Sequence, residues 1–133
     1  MENKMFCFQC EQTAGCTGCT QAGVCGKSAN TARLQDELTG ALIGLARATE
    51  SNPATQNTYQ TIIEGLFTTI TNVSFDDAAI IRQIEKTNAA KEELVPGCGS
   101  CGAPCGKTED YDMQQLWNDN EDIRSLKSLI LFG

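Results

Sequence analysis

The sequence predicts an all-α fold: an antiparallel three-helix bundle with a Cys/Gly-rich N-terminal loop and a second Cys-rich loop after the third helix. Three observations predict it. Apolar residues between positions 31 and 94 recur every three or four residues, the spacing of a helix face. The eight cysteines fall outside that stretch, in two glycine-rich tracts, Cys7 to Cys25 and Cys98 to Cys105. No segment alternates apolar and polar residues with the period of two that a half-buried strand needs. At 133 residues and 41% hydrophobic content, the chain is sized for one domain with a modest core.

The first tract spells Cys7-x2-Cys10-x5-Cys16-x2-Cys19-x5-Cys25 and carries Gly15, Gly18, Gly23 and Gly26. It reads as a loop whose backbone can approach a ligand closely. Leu34, Leu38, Ala41, Leu42, Leu45 and Ala48 then form one stripe, predicting a first helix from about Thr31 to Glu50. Asn52-Pro53 reads as the N-cap and first-turn proline of a second helix, with an apolar face of Tyr59, Ile62, Ile63, Leu66, Phe67, Ile70 and Val73. Ser74 with Asp77 resembles a capping box for a third helix, which carries Ala78, Ile81, Ile84 and Leu94 and is ended by Pro96-Gly97. Helices of roughly 20 residues are about 30 Å long, a length that suits short-looped antiparallel packing. Tyr111, Met113, Leu116 and Trp117 are expected to pack the tail on the bundle. Ile123, Leu126, Leu129, Ile130 and Leu131 begin a further helical face. It reads either as a short docking helix completing the domain or as the first turns of an element in a longer protein.

Composition excludes several classes of function. With 17 acidic against 10 basic side chains and a net charge of −7, the surface does not suit a phosphate backbone, whose affinity rests on Lys and Arg. Without histidine there is no Ser-His-Asp or Cys-His nucleophile pair, and a transition-metal site must rely on thiolates and carboxylates. The N-terminus, Met1-Glu2-Asn3-Lys4-Met5-Phe6-Cys7, has no apolar signal region, and no stretch approaches the roughly 18 apolar residues of a membrane span. The reading is a cytoplasmic protein. In a reducing compartment, thiols crowded this densely are oxidisable unless something ligates them, and metal ligation is the economical explanation.

Soft thiolates in fours select zinc or an iron-sulfur cluster. The five cysteines of the first tract leave two sets open. Cys7, Cys10, Cys16 and Cys19 form two CxxC pairs only five residues apart, cramped for zinc because paired-CxxC zinc sites put about a dozen or more residues between the pairs. Cys7, Cys10, Cys19 and Cys25 form a CxxC clamp with two more distant ligands, a set that could wrap a larger cubane cluster. Spacing favours the second set only mildly.

The residues around these cysteines are more specific than their spacing. Met5-Phe6-Cys7-Phe8-Gln9-Cys10-Glu11-Gln12-Thr13-Ala14, Thr17-Gly18-Cys19 and Gly23-Val24-Cys25-Gly26-Lys27 resemble the N-terminal signature of the hybrid cluster proteins, also called prismane proteins or hydroxylamine reductases. The similarity continues through Leu34-Gln35-Asp36, Gly65-Leu66-Phe67-Thr68-Thr69-Ile70-Thr71-Asn72, Asp76-Asp77 and Asn120-Glu121-Asp122-Ile123-Arg124-Ser125-Leu126. It implies a [4Fe-4S] cluster on Cys7, Cys10, Cys19 and Cys25, near the surface of a helical N-terminal domain. That cluster would relay electrons to a catalytic hybrid iron-sulfur-oxygen cluster, where hydroxylamine or nitric oxide is reduced. The hybrid cluster's ligands in the family include histidine, so no catalytic residue is assigned in this chain. On this reading residues 1–26 form the iron-sulfur cluster loop, 27–95 the three-helix bundle, 96–111 the second Cys-rich loop and 112–133 the start of a further helical element, all in a single domain. The implied partners are an electron-donor protein or reductase, and the remaining domains of a parent enzyme or an oligomer partner at the C-terminal helix. Nucleic acid and membrane are not among them.

The second tract, Cys98-x2-Cys101-x3-Cys105, has no role implied by the resemblance. With Cys16 it offers four thiols for a second metal site, against the plainer reading of reduced structural or surface thiols. Phe6 and Phe8 read as shields that keep water from the cluster, and Lys27 and Arg33 either offset thiolate charge or lie solvated on the surface. Two other functions compete with electron transfer: a free-standing iron-sulfur redox or nitric oxide sensor, and a four-cysteine zinc structural or interaction module.

Overall fold

The computed structural model describes residues 5–10, 18–70, 75–95 and 109–132. They form α1 (Ala29–Ala48), α2 (Gln56–Ile70), α3 (Asp77–Leu94), the short α4 (Gln114–Trp117) and α5 (Glu121–Phe132). Among the described residues there is no strand, only an isolated antiparallel bridge between Cys7 and Cys19. The all-α expectation holds, and α1, α2 and α3 pack on one another. Their polar rims show the directions. Asn30 and Thr31 at the start of α1 donate to Asp77 at the start of α3, so these two helices run the same way. Asn57 meets Glu93 and Glu64 meets Lys86, so α2 runs against α3.

Helix boundaries differ from the sequence reading where side chains make other caps. The first helix starts at Ala29 rather than near Thr31, because Ser28 Oγ accepts from Thr31 N at 3.1 Å. Asn52 does not begin α2; its amide donates to Ala48 O at 3.1 Å and closes α1 instead. The start of α2 at Gln56 is organised by Thr55 and Thr58, each hydroxyl accepting from the other's backbone N–H. Asp76 caps α3 by accepting from Ala78 and Ala79, which frees Asp77 for α1. Ser74 and Val73 lie outside the described residues.

The core follows the predicted α1 stripe. Leu34, Leu38 and Leu42 meet Ile80 and Ile84, with Ile62 and Leu66 at the edge, and Leu45 and Ala48 meet Ala90 and Leu94. Removing a leucine of this kind from water is worth about 1.5–3 kcal/mol. Two inward faces were misplaced by apolar spacing. On α3 the buried residue is Ile80, while Ile81 is 44% exposed. On α2 the inward side carries Thr58, Thr61, Gly65 and Thr69 alongside Ile62 and Leu66, whereas Tyr59, Ile63, Phe67 and Ile70 are exposed. The cause is close approach: a Cβ on Gly65 would sit 2.6 Å from Leu42 Cδ2, so the contact selects small side chains. Threonine tolerates such burial by bonding back along its own helix, as Thr69 does to Leu66 O and Thr87 to Gln83 O.

The tail packs as expected. Met113, Leu116 and Trp117 are buried together with Ile43, Tyr111, Phe6, Phe8 and Leu131 around them. Tyr111 N donates to Gly40 O at 3.1 Å as the chain crosses α1. The α5 stripe behaves differently: Ile123, Leu126, Leu129 and Ile130 are exposed, and Leu131 alone of that expected face joins the buried group.

Candidate metal centre

Backbone pairing assembles the cysteine loop. Cys7 N donates to Cys19 O at 3.0 Å and Cys19 N to Cys7 O at 2.9 Å, which sets residues far apart in the tract side by side. Gly18 makes this possible, because its φ of +106° favours glycine and a Cβ there would meet the Phe6 ring at 2.7 Å. Gly23 N then donates to Lys27 O at 2.8 Å, so the segment carrying Cys25 folds back into a closed turn. Cys19 is buried with Met5 and Ala32 against the first turn of α1, Cys7 and Cys10 are half-buried, and Cys25 is exposed. The site therefore has a bundle side and a solvent side.

All four described cysteines, Cys7, Cys10, Cys19 and Cys25, are free thiols. They share one neighbourhood. Burial pushes the Cys10 thiol above its ordinary value, the charges of Cys7, Cys25 and Cys19 push it further, and Lys27 opposes them. Among the described residues, no three His, Cys, Asp or Glu side chains close tightly enough to grip a single metal ion. The donor set is four soft sulfurs, without a hard ligand among them, and it fits a thiolate-held group. Cys16, Cys98, Cys101 and Cys105, invoked for a second metal site, lie outside the described residues.

Lys27 was open between two roles in the sequence, and the structure selects one. Only 1% exposed, it points its ammonium to 3.6 Å from Cys7 Sγ and 3.0 Å from Gln9 Oε1. A buried ammonium needs anionic or polar partners, and the Cys7 sulfur and the Gln9 amide oxygen supply them here. Arg33 instead bonds Asn30 on the exposed side of α1. Gln9 also donates to Thr69 O, tying the loop to the end of α2.

Three features escaped sequence reasoning. Arg124 of α5 lies 4.8 Å from the Phe6 ring centre and 4.5 Å from that of Phe8, and its guanidinium also donates to Trp117 O. Phe6 and Phe8 thus stack between the loop and the tail, held by a cation as well as by apolar contact. Trp117 Nε1 donates to Asp36 at 3.1 Å. Burial pushes the Asp36 carboxyl up to about 6, and Asp112 adds to the rise against the Trp117 hydrogen bond and Lys27. Nothing in linear spacing joins residues 6, 27, 36, 117 and 124; only the quoted family signature places most of them in similar segments.

The described residues form a helical bundle that carries a loop of four free thiols at its surface. Residues 5–133 match the Prismane/CO dehydrogenase family, and the chain belongs to that family. Among its relatives are proteins named hydroxylamine reductase. That of Methanococcus vannielii is 40% identical over 148 residues, covering 97% of this chain and 27% of the relative. Those of Porphyromonas gingivalis and Clostridium perfringens are 39% and 38% identical, covering 100% and 97% of this chain and 28% of each relative. The chain thus spans just over a quarter of the length of the curated relatives it matches.

Proposed function

We propose that the chain is the electron-transfer portion of a hydroxylamine or nitric oxide reductase of the hybrid-cluster type, with a [4Fe-4S] cluster on Cys7, Cys10, Cys19 and Cys25. The observation that carries this reading is the convergence of four free thiols on one loop, with the buried ammonium of Lys27 set against Cys7. A thiolate-held cluster is anionic, and an interior cation beside it offsets that charge. When bound, the cluster would supply one-electron chemistry. This chain's residues would do the rest: the thiols hold it, Lys27 and Gln9 fix the loop, and Phe6 and Phe8 limit water on the tail side. The exposed Cys25 suits entry of electrons from a cytoplasmic donor protein. The catalytic hybrid cluster would lie in polypeptide beyond these residues, and the exposed α5 stripe suits a contact with that polypeptide.

Anaerobic purification tests this directly. The protein is expected to be brown, with broad absorption near ~400 nm and about four irons and four sulfides per chain. Single Ala substitutions at Cys7, Cys10, Cys19 or Cys25 are expected to abolish the colour and loosen the first 26 residues, since ligation contributes that segment's folding energy. Cys16→Ala is expected to keep it. A colourless protein with stoichiometric zinc, or loss of iron in Cys16→Ala with retention in Cys25→Ala, overturns the assignment.

A further inference from the structure

The segment that carries Cys7 is gripped from two sides. Cys7 pairs with Cys19 in an antiparallel bridge, so the chain there is locally extended and successive side chains leave opposite faces. Cys7 Sγ meets the Lys27 ammonium at 3.6 Å. Phe6 and Phe8 share the other face, their rings 6.5 Å apart and within 16° of parallel. One guanidinium covers both rings: Arg124 Cζ lies 4.8 Å from the Phe6 centre and 4.5 Å from that of Phe8. Its Nε is shut away from solvent without a hydrogen bond, so the ring faces supply part of the solvation that water would otherwise give the charge. Phe6 also leans on the second strand of the bridge, because a Cβ at Gly18, next to Cys19, would meet its ring at 2.7 Å. A single cation therefore bears on both strands that present thiols.

Arg124 is in turn held by the start of α5. Its N–H donates to Asn120 O at 2.8 Å, Asn120 Oδ1 caps the helix by accepting from Asp122 N at 2.9 Å, and the guanidinium donates to Trp117 O at 3.3 Å. Lys127, further along α5, pairs with Asp119 and fastens the same turn. We propose that Arg124 is a positioning residue for the cysteine site: from α5 it clamps Phe6 and Phe8 and so keeps the Cys7–Cys19 pair closed around the group that the thiols hold. The inference rests on the reading that those cysteines hold an iron-sulfur cluster. Arg124 acts through the rings, since its side-chain contacts are two ring faces and a backbone carbonyl. Release of the clamp opens the loop locally, without unfolding the bundle, and exposes thiolate–iron bonds to solutes. Lysine replaces it only in part, because a compact ammonium does not lie flat across two rings as the planar guanidinium does.

The experiment challenges the anaerobically prepared, iron-loaded chain with excess of the iron chelator ferrozine and follows the loss of visible absorbance. Arg124→Met is expected to lose its colour about tenfold faster than the wild type, and Arg124→Lys about threefold faster. In a Phe8→Leu background, where one of the two ring contacts is already gone, Arg124→Met is expected to add only about threefold. Hydrogen exchange, read by mass spectrometry on the same loaded chains, is expected to quicken in Arg124→Met at the Cys7 and Cys19 amides, which bond each other's carbonyls, and to stay unchanged in α1, α2 and α3. A wild-type rate of colour loss in Arg124→Met, a lysine variant as fast as the methionine one, or an undiminished effect beside Phe8→Leu overturns the proposal. So does faster exchange throughout the three long helices, which would make Arg124 a support of the whole fold. A wild-type chain without iron-sulfur absorbance fails the functional reading beneath the inference; a coloured protein indifferent to Arg124 removes only the inference.

Discussion

Gly40→Ala probes the contact that ties the tail to the bundle. Gly40 lies inside α1, where alanine favours the helix by about 1 kcal/mol over glycine. A Cβ at this position would overlap the Tyr111 carbonyl oxygen and lie 3.4 Å from its carbon and 3.6 Å from its nitrogen. These are backbone atoms, so no rotamer relieves the overlap, and forcing the segment outward costs ~1–3 kcal/mol. It also breaks the 3.1 Å bond from Tyr111 N to Gly40 O, worth about 1 kcal/mol, which roughly cancels the propensity gain. The net expectation is a loss of ~1–3 kcal/mol, a fall in Tm of about 3–10 °C for a chain of this size. The chain's one tryptophan, Trp117, is 7% exposed and reports locally. Displacing the segment before it should shift its emission to the red while far-ultraviolet circular dichroism keeps its helical form. An alanine variant of equal or greater stability with unchanged emission would refute the crossing of residues 109–111 over α1.

Lys27→Met removes a positive charge beside Cys7. At an effective dielectric near 20 and roughly 6 Å from a spread charge, the Coulomb contribution is ~2–3 kcal/mol, so the reduction potential of the bound group should fall by on the order of 100 mV. An unchanged potential in a redox titration of the iron-loaded chain would place Lys27 outside the site's electrostatics. Asp36 predicts a pH dependence in the metal-free protein. Burial raises its folded pKa from 3.8 to about 6, so the folded chain holds more protons in that window. Its contribution is full below about pH 4 and is lost as the pH rises to about 6, a change of ~2–3 kcal/mol. Urea denaturation across that range should show this slope in the wild type and its loss in Asp36→Asn; an unaltered slope would assign it to other carboxyls. Leu38→Ala, at a fully buried position between α1 and α3, should cost ~3–5 kcal/mol, and a cost below about 1 kcal/mol would mean that the three helices do not share this core.

The helical class, the α1 stripe and the tail contacts of Tyr111, Met113, Leu116 and Trp117 were legible in the chain because apolar periodicity reports which face is withdrawn from water. The same rule misplaced α2 and exchanged Ile81 for Ile80. Periodicity counts hydrophobic residues, whereas a tight helix crossing selects small ones, and Gly65 with its neighbouring threonines lets α2 approach Leu42. Caps were legible as a residue class but not as positions. Asn52, Asp76 and Ser28 all cap helices, yet which end each one serves depends on where the neighbouring turn places a free carbonyl or N–H.

The sequence by itself determined the chemistry available here: soft sulfur donors without histidine, an acidic surface, and glycines where the cysteine loop needs a positive φ. These are properties of residue type and local backbone, which a linear chain already carries. Tertiary structure decided which charges and rings serve the loop. Lys27 turns inward to Cys7, Arg124 reaches back from α5 over Phe6 and Phe8, and Asp36 is half-buried where it accepts from Trp117 Nε1. Each of these depends on distances between segments up to 118 positions apart, as from Phe6 to Arg124, and on the dielectric that packing imposes, neither of which is encoded in any one stretch of chain.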